Sequence, residues 1–351
     1  MNLLKRLTLC LLTTVSFSAC SNVEKEQEGI KVIDYSNPKK VCFGRIELTV
    51  PKETQVEYSN FNYNGSDIEV DENVKTYEAY QKLINDKIQY LKHEPHETEG
   101  VLLKQEMQGP VNQAGRSVSH VIVYRPTEYT KSSYDIEGYL YIQPGKLLVL
   151  KSGADNELLQ EALIEIQNNL KNIKIRSAKE IQAGLCWREF FIVDDMSRNL
   201  PFMGGDLHFK FPSYPGVRAN IEHRVRLTSD IPLIDLMRKN QQELPEMLKL
   251  HVNIENLREH EKIIHGLEGQ EVLNYAHRRG YSERGSELGA WQYLGSLENQ
   301  NDPYIYYTLV SAEMTDPDEP LNSSISQKKF LQLNDFILNS IQVSANNKKD
   351  K

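Results

Sequence analysis

Cys42-Phe43-Gly44-Arg45-Ile46-Glu47-Leu48-Thr49-Val50-Pro51 and Gly184-Leu185-Cys186-Trp187-Arg188-Glu189-Phe190-Phe191-Ile192 decide how this chain is read. Each places a cysteine near the head of an apolar, aromatic run, the composition of a buried β-strand. Each is followed by further strand, a helix, a run of strands and a closing helix. The 351 residues therefore read as one unit written twice, with the second copy starting near Gly184.

In the first copy an extended piece covers 55–58, and Asn60-Phe61-Asn62-Tyr63-Asn64-Gly65 reads as a turn. Tyr77, Tyr80, Ile84, Ile88 and Leu91 share one face at helical spacing, which predicts a helix over 76–92. Strands are expected at 101–107, 117–124, 134–142 and, after Pro144-Gly145, at 146–150. Asp155 is placed to cap a helix with the stripe Leu159, Ala162, Leu163, Ile166, Leu170 and Ile173. The second copy offers strands at 186–193, 207–211 and 220–227. A helix follows from Pro232 towards Leu250, which Pro245 should kink or split. Strands at 272–276, 290–294 and 304–310 come next, the last as the counterpart of the Leu147 strand. Ser326 then starts a helix buried through Phe330, Leu333, Phe336, Ile337 and Ile341. This order predicts an α+β fold of two related domains, 40–178 and 179–343, each a mostly antiparallel sheet with helices on one face. A charged tail, 344–351, ends the chain.

The front of the chain reads as an export signal, residues 1–19. Lys5 and Arg6 lead an apolar core from Leu7 to Phe17, and Ser18-Ala19 are small residues before a cleavage point. Cys20 follows directly and is the expected lipid-bearing residue. Ser21 after it, in place of a retention aspartate, points to the outer membrane and the periplasm. Residues 20–39 are polar and read as a tether. No later stretch approaches the roughly 20 apolar residues of a membrane helix. The formal net charge is −8, and losing Lys5 and Arg6 makes the remainder more negative. Such a body repels nucleic-acid phosphate and suits a basic protein partner.

Of four cysteines, Cys10 leaves with the signal and Cys20 takes the lipid, so Cys42 and Cys186 remain in the body. An oxidising compartment permits a bridge between them. They hold matching positions in the two copies, and matching positions meet only beside a twofold axis. A Cys42–Cys186 bond and two buried thiols are both open readings. Nothing beside Cys186 would activate it as a nucleophile.

Enzyme signatures are absent: no nucleophile elbow, phosphate loop or dinucleotide fingerprint. His93-Glu94-Pro95-His96-Glu97 lacks zinc spacing and is broken by Pro95, so it reads as a loop. His260 and His265 read as polar surface on different helical faces, and Asp194-Asp195 lacks calcium-loop spacing. No catalytic residue, metal or cofactor is expected. Two loops read as recognition surfaces: Asn60 to Gly65, through Phe61 and Tyr63, and Ser197 to Gly205, through Leu200, Phe202 and Met203; the alternative for the second is that its apolar residues fold back over their own domain.

The quoted runs also carry a family resemblance. Cys42-Phe43-Gly44-Arg45, with the strand to Pro51, resembles the N-terminal domain of immunity proteins that protect against type VI secretion phospholipase effectors. Gly184-Leu185-Cys186-Trp187 with Phe190-Phe191-Ile192 is similar to the start of that family's C-terminal domain. Asp194-Asp195 and Gly204-Gly205-Asp206 stand where that domain carries an acidic pair and small residues. The resemblance implies a stoichiometric inhibitor that grasps a phospholipase with two domains in a 1:1 complex, blocks its lid or active site and protects the cell's own membrane. The other reading is an outer-membrane lipoprotein with a structural or envelope-assembly partner.

Overall fold

The computed structural model describes residues 33–110, 117–143, 145–177, 184–194, 203–280, 285–312 and 323–343. The export signal, Cys20, the tail, Leu200, Phe202 and the expected boundary at 178/179 lie outside the described residues.

In the first half, β1 (Lys39–Gly44) and β2 (Ile46–Val50) form a hairpin, as do β3 (Gln55–Tyr63) and β4 (Ser66–Asp71). Helix α1 (Tyr77–His93) and the short pair β5 (Pro95–His96) and β6 (Gly100–Val101) follow. Then come β7 (Leu103–Gln108), β8 (Ser117–Tyr124), β9 (Ser133–Ile142), β10 (Lys146–Asp155), α2 (Leu159–Asn172) and β11 (Ile173–Ile175). The second half opens with β12 (Gly184–Trp187), β13 (Phe190–Val193), β14 (Met203–Lys210) and β15 (Arg218–Arg224). It continues with α3 (Leu233–Gln242), α4 (Glu246–His251), β16 (Val252–Ile264), β17 (Leu267–Arg278), β18 (Gly285–Tyr293), β19 (Tyr304–Val310), α5 (Gln327–Leu338) and β20 (Gln342–Val343). Among the described residues no helix is long and apolar enough to cross a membrane.

Strand pairing turns the repeat into symmetry. A 12-stranded sheet runs β16-β17-β18-β19-β15-β14-β3-β4-β10-β9-β8-β7, and a 6-stranded sheet runs β11-β13-β12-β1-β2-β20. Reading either list outward from its centre gives the same elements of each copy. The twofold axis passes between β3 and β14 in the large sheet and between β1 and β12 in the small one. Every ladder in both sheets is antiparallel. The copies are thus not two sheets but two halves of shared ones. One core cluster runs from Ile33 to Ile341 through both.

The helices correct the one-face expectation. Leu163, Ile166 and Leu170 of α2 pack with Ile136, Leu140, Leu148 and Leu150. Tyr80, Ile84, Ile88 and Leu91 of α1 pack with Tyr139, Tyr141, Leu147 and Val149, the intervening residues. Alternate residues of a strand face opposite ways, so α1 and α2 lie on opposite faces of the large sheet. In the second half α5 joins the α2 side through Leu273, Trp291 and Tyr307. Helix α3 joins the α1 side through Val272 and Ala290. The unbroken run Leu147-Leu148-Val149-Leu150 is what burial on both faces requires. The inner face thus carries the small sheet, α2 and α5. The outer face carries α1 and α3.

Glycine lets the inner helices come close. A Cβ on Gly138 would lie 3.1 Å from Ile166 of α2, and one on Gly289 2.7 Å from Asn334 of α5. Matching those glycines carries Leu150 onto Leu309, Ile68 onto Ala219 and so Glu72 onto His223 by strand register.

Local expectations fare unevenly. Pro245 does split the predicted helix, between α3 and α4. Thr76 caps α1 by accepting from the Ala79 N–H at 3.1 Å. Asp155 does not cap α2: it ends β10, and Leu158 holds the cap position without a side-chain bond. The two opening runs are hairpins, not single strands, because Gly44 and Arg188 take φ of +58° and +54° and reverse the chain. His260 lies on β16 and His265 in the β16–β17 turn, neither on a helix.

Candidate partner-binding surface

The centre of the molecule is built from residues the sequence placed at its edge. Phe61, Tyr63 and Met203 are buried at 0%, 1% and 3% exposure, so they cannot meet a partner. Asn64-Gly65 is a two-residue hairpin turn, Tyr63 pairing with Ser66, and such a turn between alternating apolar residues sends Phe61, Tyr63 and Ile68 to one face. That face is the inner one, where Phe61 stacks on Trp187 with centroids 6.5 Å apart and meets Phe43 edge-on at 5.5 Å. These rings weld the small sheet to the large one across the axis. The Tyr63 hydroxyl donates to the Asp194 carboxylate, so Asp194 is a buried partner in this joint.

Phe43 and Trp187, equivalent residues, face each other across the axis. Beside them Cys42 and Cys186 form a disulfide, with Cα atoms 5.8 Å apart. Arg45, 2% exposed, donates from Nη1 to the Gln300 carbonyl at 3.0 Å and to the Asn301 side chain. This ties the first half to a loop of the second. His223 is fully buried against Gly44. Burial, with the Arg45 charge beside it, pushes its pKa down to about 3, so the ring is neutral.

Function can therefore lie only on what remains outside. Between α1 and α3 the outer face of β4, β3, β14 and β15 is not covered by a helix among the described residues. Its side chains are polar and of both signs. Lys151 pairs with Glu69 at 2.6 Å, Lys210 with Glu57 at 2.6 Å and Arg224 with Glu222 at 2.7 Å. Asp67 and His208 are exposed beside them. Both halves contribute equally, and the two helices flank the face. Four strands about 4.8 Å apart, each about 20–30 Å long, present roughly 400 Å². A stable interface takes about 800 Å² from each partner, so flanking surface must join it.

That surface is present beyond the N-terminal end of α3. A cleft of about 750 Å³ opens there, lined by Pro232, Glu261, Ile263, Glu268, Tyr293 and Asp302 among others. Its floor is the overhanging end of the β16–β17 hairpin. Composition hid this hairpin, since the strand Val252–Ile264 is polar along most of its length. The readable signal was His265-Gly266, whose φ values of +47° and +84° suit a tight hairpin turn.

The other singled-out histidines serve local structure. His93 bonds the Gln89 carbonyl at 2.7 Å, and His96 is buried with Thr130 O at 2.9 Å. Among the described residues no group of His, Cys, Asp and Glu could hold a metal.

Comparison with known proteins places this architecture. The profile of the Tle cognate immunity protein 4 N-terminal domain matches residues 39–188, and that of its C-terminal domain matches 180–346. No curated protein matches the sequence. The apo immunity protein TplEi of the type VI secretion system of Pseudomonas aeruginosa is similar in structure, with TM-score 0.72 and 20% identity, over 89% of this chain and 99% of that one. A Tle4–Tli4 complex matches with TM-score 0.73 and 19% identity over the same shares. At that identity the likeness speaks for the fold.

Proposed function

The chain belongs to the Tle cognate immunity protein 4 family, carrying both of its domains, and from that premise we propose that it binds a type VI secretion phospholipase effector and holds it inactive. The observation that carries the reading is the family match through both halves, over residues 39–346. The protein acts as a stoichiometric inhibitor, not a catalyst. Its working surface is the outer face between α1 and α3. Because β3 and β14 are hydrogen-bonded, both halves offer that face already assembled. Preorganisation of this kind cuts the ordering cost of association. The effector seats its lid or active-site entrance there, and substrate lipid is excluded.

The protein works in the periplasm, with a lipid on Cys20 holding it to the outer membrane. The disulfide supports that compartment, since such bonds persist where thiols oxidise. The purified chain should co-elute 1:1 with the phospholipase encoded beside it and abolish its lipid hydrolysis. Two separate peaks at micromolar concentration would sink the proposal. Cys20→Ser should move the protein from the membrane fraction to the soluble periplasm.

A further inference from the structure

We infer that the cleft beyond α3 is a subsite that receives a basic segment of the effector carrying a large apolar side chain. The inference rests on the effector-binding reading above and names where and by what chemistry contact is made.

The two halves treat this face differently. Helix α1 spans 17 residues and α3 only 10, about 25 Å against 15 Å. Helix α3 covers Val272 and Ala290 and then stops, its Ile234 N–H donating to Gln270 Oε1 at 3.1 Å. Beyond it the face continues through Gln270, Glu261, Glu268 and Ile263, paired Gln270↔Glu261 and Glu268↔Ile263. Among the described residues no helix lies over them, and Ile263 is 66% exposed. Leu227, Ile231 and Leu297, also exposed, stand nearby on two loops that hold each other. Glu298 N–H donates to Arg226 O at 2.7 Å, and Arg226 Nη1 to Gly295 O at 3.2 Å. These apolar groups are fixed in place, which is how a docking site differs from a loose loop.

The charge names the occupant. Glu261, Glu268 and Asp302 line the cleft, and among the described residues no lysine or arginine does. Asp302 accepts from Tyr293 and Ser296. Lys262 points to the other face, where it pairs with Glu271 at 3.0 Å. Glu261 and Glu268 are diagonal neighbours across the β16–β17 ladder, and like charges so placed repel. A cation between them relieves that cost, while Ile263 supplies apolar contact. The chain's own ends fit poorly. The stretch 20–32 sets Glu24, Glu26 and Glu28 against Lys25 and Lys31, so it is acidic overall. The last residues are basic through Lys348, Lys349 and Lys351 but bear no large apolar side chain, and they follow β20 on the inner face.

The test uses the chain with the neighbouring phospholipase. Glu261→Lys with Glu268→Lys should weaken binding about tenfold or more and flatten its salt dependence, with thermal unfolding unchanged. The photo-crosslinking residue p-benzoylphenylalanine at Ile263 should capture the phospholipase, while at Ile164 on α2 it should not. Unaltered affinity in the charge-reversed chain, or crosslinks from position 263 only to this protein's own tail or a second copy, overturns the inference while the function stands. Failure of the unmodified chain to bind the phospholipase overturns the function and the inference together.

Discussion

Gly44-Arg45 and Arg188-Glu189 are equivalent turns in different surroundings. Both reverse the chain on a left-handed residue, with φ of +58° at Gly44 and +54° at Arg188. The first is buried: His223 packs on it, and Arg45 reaches into the opposite half. The second faces solvent. There Arg188 pairs with Glu72 at 2.8 Å, and Glu189 with Lys146 at 2.6 Å. Glu72 is the register counterpart of His223, so even the neighbour is the same position with opposite burial. The repeat is thus one of backbone and register. Side chains then assign one turn to holding the halves together and leave the other to solubility.

Removing what the turns share should have the largest effect. Cys42→Ser with Cys186→Ser opens a loop of 144 residues, which costs about 4–5 kcal/mol of unfolding free energy in the chain-entropy account. A denaturant titration showing a loss below about 1 kcal/mol would mean that the sheets alone set the axis. Separating the turns comes next. Gly44→Ala brings a Cβ to 2.7 Å from the His223 ring and should cost about 3 kcal/mol from overpacking and left-handed strain. Arg188→Gly gains backbone freedom and loses an exposed ion pair, so its net change should stay within about 1 kcal/mol. Equal losses from the two would erase the contrast drawn between the turns.

A conditional effect, absent at neutral pH, comes from His223. His223 is held neutral with its pKa lowered from 6.5 to about 3. Between those values the unfolded chain binds the extra proton, so this contribution to stability is complete above pH 6.5 and lost as pH falls towards 3. By pH 5 the loss from this group should be about 2 kcal/mol. His223→Gln should remove that slope from the difference between the two chains' stability profiles. Parallel profiles would mean that the ring is not held neutral.

Much of the fold could be read locally. The stripe from Tyr77 to Leu91 announced α1, and Pro245 announced the break after α3, because helical spacing and a missing N–H are properties of neighbouring residues. Asn64-Gly65 is as clear a hairpin signal, yet by composition the stretch around it reads as an exposed loop. Aromatic rings among asparagines look alike on a paratope and on an alternating strand until a partner strand is known. β16 escaped because its apolar alternation is interrupted by Glu255, Arg258, Glu259, Glu261 and Lys262. As the edge of the large sheet it gains from charges that discourage further pairing.

From residue order alone came the twofold repeat, the pairing of Cys42 with Cys186 as equivalents, and the family. These depend on patterns that each half carries within itself. Only the tertiary structure joined the halves into common sheets, sent α1 and α2 to opposite faces and left the outer face between α1 and α3 open. The joining bonds run between backbone N–H and C=O groups of β3 and β14, which every residue except proline can offer. Nothing in the side-chain pattern of either strand names the other, and the choice falls to packing, where Phe43, Phe61 and Trp187 close over the axis.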